Sequence, residues 1–149
     1  NNGGMDVDIQ IKGENEANLF RTDAANDRIG IITSSPVASL NVNGSYAGKV
    51  VEVTSFPYDV TDTDWLISCG SSGARTINLP AASDNTGRIL HIKDNQGNAN
   101  SGNITIDANS SEEIDGETTY VMSNNYASIT MICTGTSWIL TSVYSGPPP

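Results

Sequence analysis

Positive charge is scarce in this 149-residue chain: seven Lys and Arg stand against seventeen Asp and Glu, a net charge of −10. That balance excludes an ordinary nucleic-acid partner, which needs cations to displace phosphate counterions. It excludes a polybasic membrane contact for the same reason. No apolar run approaches the roughly 20 residues of a spanning helix, so membrane insertion is not expected. Cysteine is limited to Cys69 and Cys133, too few for a disulfide scaffold. A Cys69–Cys133 bridge would need their strands to stack face to face; two separate thiols is the favoured reading. No CxxC pair is present, so zinc and thioredoxin-type chemistry lack support. Histidine occurs once, at His91, and aromatic residues make up 6% of the chain. No segment sustains helical periodicity.

What is present is short polar turns and β-formers. Charged residues are only 16%, and Asn, Ser, Thr and Gly carry the polarity. These residues favour turns, because their short side chains compete for backbone hydrogen bonds. Ile and Val recur in short blocks between them, which suits pleated sheet. The chain therefore reads as all-β. Residues 5–12 alternate, with Met5, Val7, Ile9 and Ile11 on one side and Asp6, Asp8, Gln10 and Lys12 on the other: a half-buried strand. Further strands fall at 19–22, 28–32 and 39–43. Beyond a boundary near 46–48 the candidates are 49–54, 65–69, 75–79, 88–93, 103–107, 118–122, 127–133 and 138–142. Asp115-Gly116 is a two-residue hairpin signal, since both residues tolerate positive φ. Asn95-Gln96-Gly97-Asn98 and Thr134-Gly135-Thr136 are further breaks. Antiparallel, turn-linked strands at this spacing predict a sandwich or jelly-roll-like domain.

This gives a strand-and-turn segment over 1–46, a β domain over 47–145 and a Pro-rich tail over 146–149. The opening Asn1-Asn2-Gly3-Gly4 reads as the product of processing or as part of a longer chain. The tail cannot continue a sheet and reads as a linker or the start of a stalk. Several strands are apolar on both faces: Val50-Val51, Trp65-Leu66-Ile67, residues 129–133 and Trp138-Ile139-Leu140. A two-layer monomer should keep one face of each strand polar. The second apolar face needs a cover, and identical subunits supply one. Val50, Ile67, Ile132 and Ile139 are the interface candidates.

Asp27-Arg28-Ile29-Gly30-Ile31-Ile32-Thr33-Ser34-Ser35-Pro36 runs into Leu40-Asn41-Val42-Asn43-Gly44-Ser45. This resembles a linker motif of bacteriophage tail fibres and other trimeric phage structural proteins, roughly D-R-V-G-I-G-T-x-x-P-x-x-x-L-x-V-x-G. The preceding 7–23 looks like the strand pair that commonly leads into it. Ile32 departs from the pattern, standing where the family usually has glycine. It implies a straighter strand or a side chain packed inward. The second part also resembles phage fibre and virion-decoration domains, through Thr76-Ile77-Asn78-Leu79-Pro80, residues 87–94, Asn103-Ile104-Thr105-Ile106, Ile114-Asp115-Gly116 and Ser137-Trp138. The resemblance implies a homotrimer in a virion or on an extracellular surface, built as a tail fibre or capsid decoration. Its partners would be itself, other virion structural proteins and host surface polysaccharide.

No catalytic constellation, cofactor motif or metal site stands out, and an enzyme is not expected. Asp59, Asp62 and Asp64 fit no EF-hand spacing and read as a solvated acidic loop. Residues 94–100 read as a plain hairpin loop. Glu112, Glu113, Asp115 and Glu117 flank one turn, whereas a glycosidase needs two carboxyls facing each other across a sugar cleft. His91 reads as a structural or interface histidine, and no Gly-x-Ser-x-Gly elbow accompanies it. Trp138 and Tyr120 read as core. Tyr126, beside Asn124 and Asn125 at a loop tip, is the best candidate for stacking on a sugar face, so Asn124, Asn125 and Tyr126 form the candidate glycan site. The alternatives to a virion subunit are a glycan-binding recognition module and a subunit of a secreted filament or adhesin.

Overall fold

The computed structural model describes residues 7–147; Met5, Asp6 and the final two prolines of the expected tail lie outside the described residues. The chain divides into two compact units, one ending at Ala47 and the other beginning at Gly48. Among the described residues almost all regular structure is strand, with a single 3-10 turn at Ala82–Asp84. No helix among the described residues is long and apolar enough to cross a membrane.

The N-terminal unit is one four-stranded sheet of β1 (Gln10–Ile11), β2 (Phe20–Asp23), β3 (Arg28–Ile31) and β4 (Leu40–Val42), in that order. β1/β2 and β2/β3 are antiparallel, and β3/β4 is parallel. Directly paired residues share a face, so the register sorts the side chains. Ile11, Phe20, Ile31 and Val42 form one cross-strand row, with Ile29 and Leu40 two residues along on the same face. Gln10, Arg21, Gly30 and Asn41 occupy the other face. The sheet is thus amphipathic. Its apolar side is open: Ile9, Ile11, Ile29 and Leu40 are exposed. Among its described residues only Gly30 and Pro36 are buried.

The connection into β4 is tightly specified. Arg28 Nη1 donates to the Pro36 carbonyl at 2.8 Å, and Asn41 Oδ1 accepts the Val37 N–H at 3.1 Å. Gly30 is required, since a Cβ there would lie 2.7 Å from the Thr33 carbonyl oxygen. Ile32 corrects the expected straight strand. Its φ is +57°, so the backbone keeps the left-handed bend that glycine would adopt freely, at a cost of about 1–2 kcal/mol. Its carbonyl accepts from Asn43 Nδ2 at 3.1 Å, which fixes the bend to the end of β4.

The C-terminal unit winds. Its strands are β5 (Val50–Val53), β6 (Tyr58–Asp59), β7 (Leu66–Cys69), β8 (Arg75–Asn78), β9 (Ile89–Asp94), β10 (Ile104–Asp107), β11 (Thr119–Met122), β12 (Ser128–Cys133) and β13 (Trp138–Tyr144). They form a five-stranded sheet, β13-β12-β9-β7-β5, and a four-stranded sheet, β11-β10-β8-β6. From β5 to β10 the chain changes sheet at every step. Neighbours within a sheet therefore come from successive windings and run parallel, as β5/β7/β9 and β6/β8/β10 do. Antiparallel pairing appears only at the end, where β11 returns along β10 and the β12–β13 pair closes on β9. This corrects the antiparallel, hairpin-linked expectation. Period-2 alternation fixes where strands lie but not which sheet the next strand joins. For the same reason residues 94–103 are a crossing between sheets and not a hairpin loop.

Inward residues of both sheets form one buried cluster. Val53, Ile67, Leu90, Ile92, Ile129, Met131 and Trp138 come from the larger sheet; Ile77, Ile104, Ile106 and Met122 come from the smaller. Each fully buried residue of this size contributes about 1.5–3 kcal/mol. Trp138 is core as expected, and Tyr120 is half-buried against the cluster. Ile67 is a correction: it has no exposed surface in the single chain and none to offer a neighbour. In the apolar run Trp65-Leu66-Ile67, Leu66 took the outward parity.

Cys69 and Cys133 are both free and buried. β9 separates their strands, and they lie at its opposite ends, since Cys69 pairs with Asp94 and Cys133 N–H bonds to the Arg88 carbonyl. A bridge needs Cα atoms within about 7 Å, which this placement forbids. Asp115 and Gly116 have φ of +51° and +92° and join Ile114 to Glu117 in the expected two-residue turn. Gly97 and Gly135 supply positive φ in the other two predicted breaks.

Candidate functional site

The two sheets of the C-terminal unit differ on their outer faces. On the smaller sheet the register aligns Asp59, Asn78, Asp107 and Thr119 in one row, and Thr76, Thr105 and Val121 in the next. That face is polar and self-consistent: Asn78 Nδ2 donates to Asp59 Oδ1 at 2.7 Å. On the larger sheet one row is Val50, Leu66, His91, Thr130 and Ser142. The row beside it is Ile89, Ile132 and Ile139. Val50, Ile89 and Ile139 are 60%, 43% and 40% exposed. Three of the four interface candidates, Val50, Ile132 and Ile139, therefore share this outer face, and Ile67 does not.

A shallow depression of about 290 Å3 lies on the same face, lined by Trp65, Leu66, His91, Lys93, Ser128 and Thr130 among others. The Trp65 and His91 rings meet with centroids 4.4 Å apart, tilted by 58°. His91 Nδ1 and Thr130 Oγ1 are 2.9 Å apart. Gly48 makes room for Trp65, because the indole lies where a Cβ would be. His91 thus belongs to a ring contact on a strand face, and the lining around it holds hydroxyls but no carboxylate to orient the imidazole.

Behind this face, Asp64 is buried, which corrects the solvated-loop reading for this residue; Asp59 and Asp62 are exposed. Its carboxylate takes Lys49 Nζ at 3.0 Å, the Tyr58 hydroxyl at 2.7 Å and the Thr61 N–H at 2.9 Å. Burial pushes the carboxyl up, but the Thr61 N–H, the Tyr58 hydroxyl and the Lys49 ammonium outweigh it and hold it at about 2. Burial and the Asp64 carboxylate push Tyr58 up to about 12. Arg88 Nη2 bonds the Thr61 and Asp64 carbonyls, locking the loop before β7 to the start of β9.

The candidate glycan residues Asn124, Asn125 and Tyr126 lie between β11 and β12. Tyr126 is 46% exposed and has φ of +60°, a strained conformation for a bulky side chain. The strain is held in place by a buried ion pair. Asp94 Oδ2 accepts the N–H groups of Tyr126 and Ala99, both at 3.0 Å. Asp94 Oδ1 takes Arg75 Nη1 at 3.1 Å, and Arg75 Nη2 reaches the Gly102 carbonyl at 2.7 Å. Both side chains are fully buried. Asn125 Oδ1 accepts the Asn100 N–H at 2.9 Å, and the Tyr126 ring lies over Gly97 where no Cβ would fit. The sequence singled out Tyr126 but not Lys93 and Tyr144, which the structure places beside it. Lys93 Nζ donates to the Tyr126 carbonyl and lies 5.8 Å from the Tyr126 ring centroid and 5.6 Å from that of Tyr144. Asn124 instead lines a cleft of about 210 Å3 that also has Tyr144 in its wall.

The acidic group near the Asp115 turn is structural in part. Both Glu112 oxygens accept the Ala82 N–H at 3.0 Å, and Asp115 Oδ1 accepts the Leu140 N–H at 3.2 Å. A wider cleft of about 470 Å3 is lined by Asp59, Asn78, Asp107 and Asn109 among others. Among the described residues no group of three or more His, Cys, Asp and Glu side chains could hold a metal ion. No protein-family model matches the sequence, and no curated protein is significantly similar to it.

Proposed function

We propose that this chain is a non-enzymatic structural subunit of a homotrimeric virion appendage, a tail fibre or capsid decoration, that also contributes to host-surface attachment. The observation that carries the reading is the pair of uncovered apolar sheet faces. One is the Ile9, Ile11, Ile29 and Leu40 side of the N-terminal sheet; the other is the Val50, Ile89 and Ile139 side of the larger C-terminal sheet. Contiguous exposed apolar faces of this kind mark association surfaces. In this reading the C-terminal unit is a sandwich-type module whose polar outer face meets water and whose apolar outer face meets a second copy. Threefold closure covers such a face in each unit and leaves no open end to propagate. The choice of three copies and of a virion rests on the likeness of 27–45 to the phage fibre linker.

Immunogold labelling of particles from the source culture tests the location. Label on virion tails or capsids is the expected outcome. Label confined to cell-borne filaments would favour the secreted-filament alternative and overturn the virion assignment. The strained, exposed Tyr126 favours surface recognition as a second activity of the same subunit.

A further inference from the structure

We infer that Lys93, Tyr126 and Tyr144 form a binding site for a carboxylated saccharide, of the uronic or sialic acid class. The inference rests on the surface-attachment reading for the saccharide, and requires that a copy covering the Ile89 and His91 rows of this sheet face leave the Lys93 row, at the other end of the face, open. The charge inventory points to Lys93. In the C-terminal unit, Lys49 is paired with Asp64 and Arg75 with Asp94. Arg88 directs its donors to Asn85 Oδ1 and to the Thr61 and Asp64 carbonyls. Lys93 meets no carboxylate among the described residues; its neighbours are the Tyr126 carbonyl and two tyrosine rings. Of the four cations in the C-terminal unit of this strongly acidic chain, Lys93 is thus the one left with hydrogen-bonding capacity for an outside carboxylate.

The setting is rigid. Lys93 and Tyr144 both pair with Ser128, which puts the three on one row of the outer face of the larger sheet. Tyr126 is brought to Lys93 by the Asp94 carboxylate, which holds its N–H in a left-handed conformation. Strained backbone maintained by buried, over-determined contacts is a mark of a functional site. Here it presents one exposed ring, with a second, Tyr144, 51% exposed on the other side of the ammonium. The adjoining cleft, with Ser123, Asn124, Tyr144 and Ser145 in its wall, lies between the edge strands β11 and β13. It offers hydroxyls and an amide for further ring hydroxyls. A ligand carboxylate would bond Lys93 Nζ in a charge-assisted contact, and the apolar faces of the sugar would lie on the tyrosine rings.

The test is an NMR titration of the whole chain with hyaluronan tetrasaccharide, tetragalacturonate and sialyllactose, each paired with its methyl ester. At least one acid should shift the amides of Lys93, Tyr126 and Tyr144, with an affinity about tenfold or more above its ester. Lys93→Gln should remove that difference, and Lys93→Arg should keep it. Thermal melts of both variants check that the fold persists. Equal affinity for acid and ester, or a Lys93→Gln variant that binds unchanged, would overturn the inference. So would the absence of shifts from every acid at about 10 mM. Binding of the esters alone at these residues would spare the attachment reading while overturning the acidic specificity.

Discussion

Replacing Asp64 with Asn perturbs the hub that ties β5, β6 and the 60–65 loop together. The carboxyl is held at about 2 against an ordinary 3.8. One unit is worth about 1.4 kcal/mol, so the ionised form contributes about 2 kcal/mol to stability. The carboxylate is buried but its Lys49 partner is half exposed, so solvent screening makes this figure an upper one. The sign follows from the direction. A depressed carboxyl stabilises fully above pH 3.8 and loses that contribution as pH falls through about 2. Urea unfolding of the native chain and Asp64→Asn, at one fixed subunit concentration, should differ by about 2 kcal/mol between pH 5 and 7. The gap should narrow steadily below pH 4. A gap that stays constant from pH 7 to pH 2.5, or is under about 0.5 kcal/mol at pH 7, would refute the reasoning.

Three further outcomes follow from particular contacts. Gly48→Ala should push Trp65 off the sheet face, because the indole occupies the Cβ position; the expected readout is a changed tryptophan emission and a loss of about 1–3 kcal/mol of stability. Cys69 is buried, and burial pushes its thiol up to about 12, so it should resist alkylation at pH 8 until the chain is unfolded, as mass spectrometry of the labelled peptides would report. Tyr58, raised to about 12, should ionise above the ordinary tyrosine range, as the absorbance titration of the native chain minus that of Tyr58→Phe would report. Because its pKa is raised, the stability it lends is present below pH 10 and is lost as pH rises through about 12.

Strand positions were legible because apolar residues alternate with polar ones at 75–79 and 103–107; of the half-buried strand expected over 5–12, the described residues keep only β1, and Val7, Ile9 and Ile11 are exposed. Sheet membership was not legible. The pattern of residues 88–93 is the same whether its neighbour is a hairpin partner or a strand from the previous winding, and the parallel β7/β9 pairing leaves no local mark. Runs apolar on both sides conceal parity, which is why Ile67 fell inward while Leu66 and Trp65 stayed near the surface. Ile32 shows the opposite limit: its departure from glycine was visible, yet the backbone bend survived the substitution. At the candidate site the Asn124-Asn125-Tyr126 tip was readable as a turn. Lys93 lies 33 positions away and joins it only through the register of β9 with β12. The buried Asp94–Arg75 pair that supports the loop is a long-range contact with no sequence signature.

The central claim is that the chain carries two apolar sheet faces that identical copies cover. Native mass measurement of the intact chain at micromolar concentration tests it most directly. With a subunit of 15.7 kDa, the account predicts a species of about 47 kDa that falls to the subunit mass when Ile89 and Ile139 are both changed to Asp. A folded native chain that stays at 15.7 kDa at tens of micromolar would contradict it.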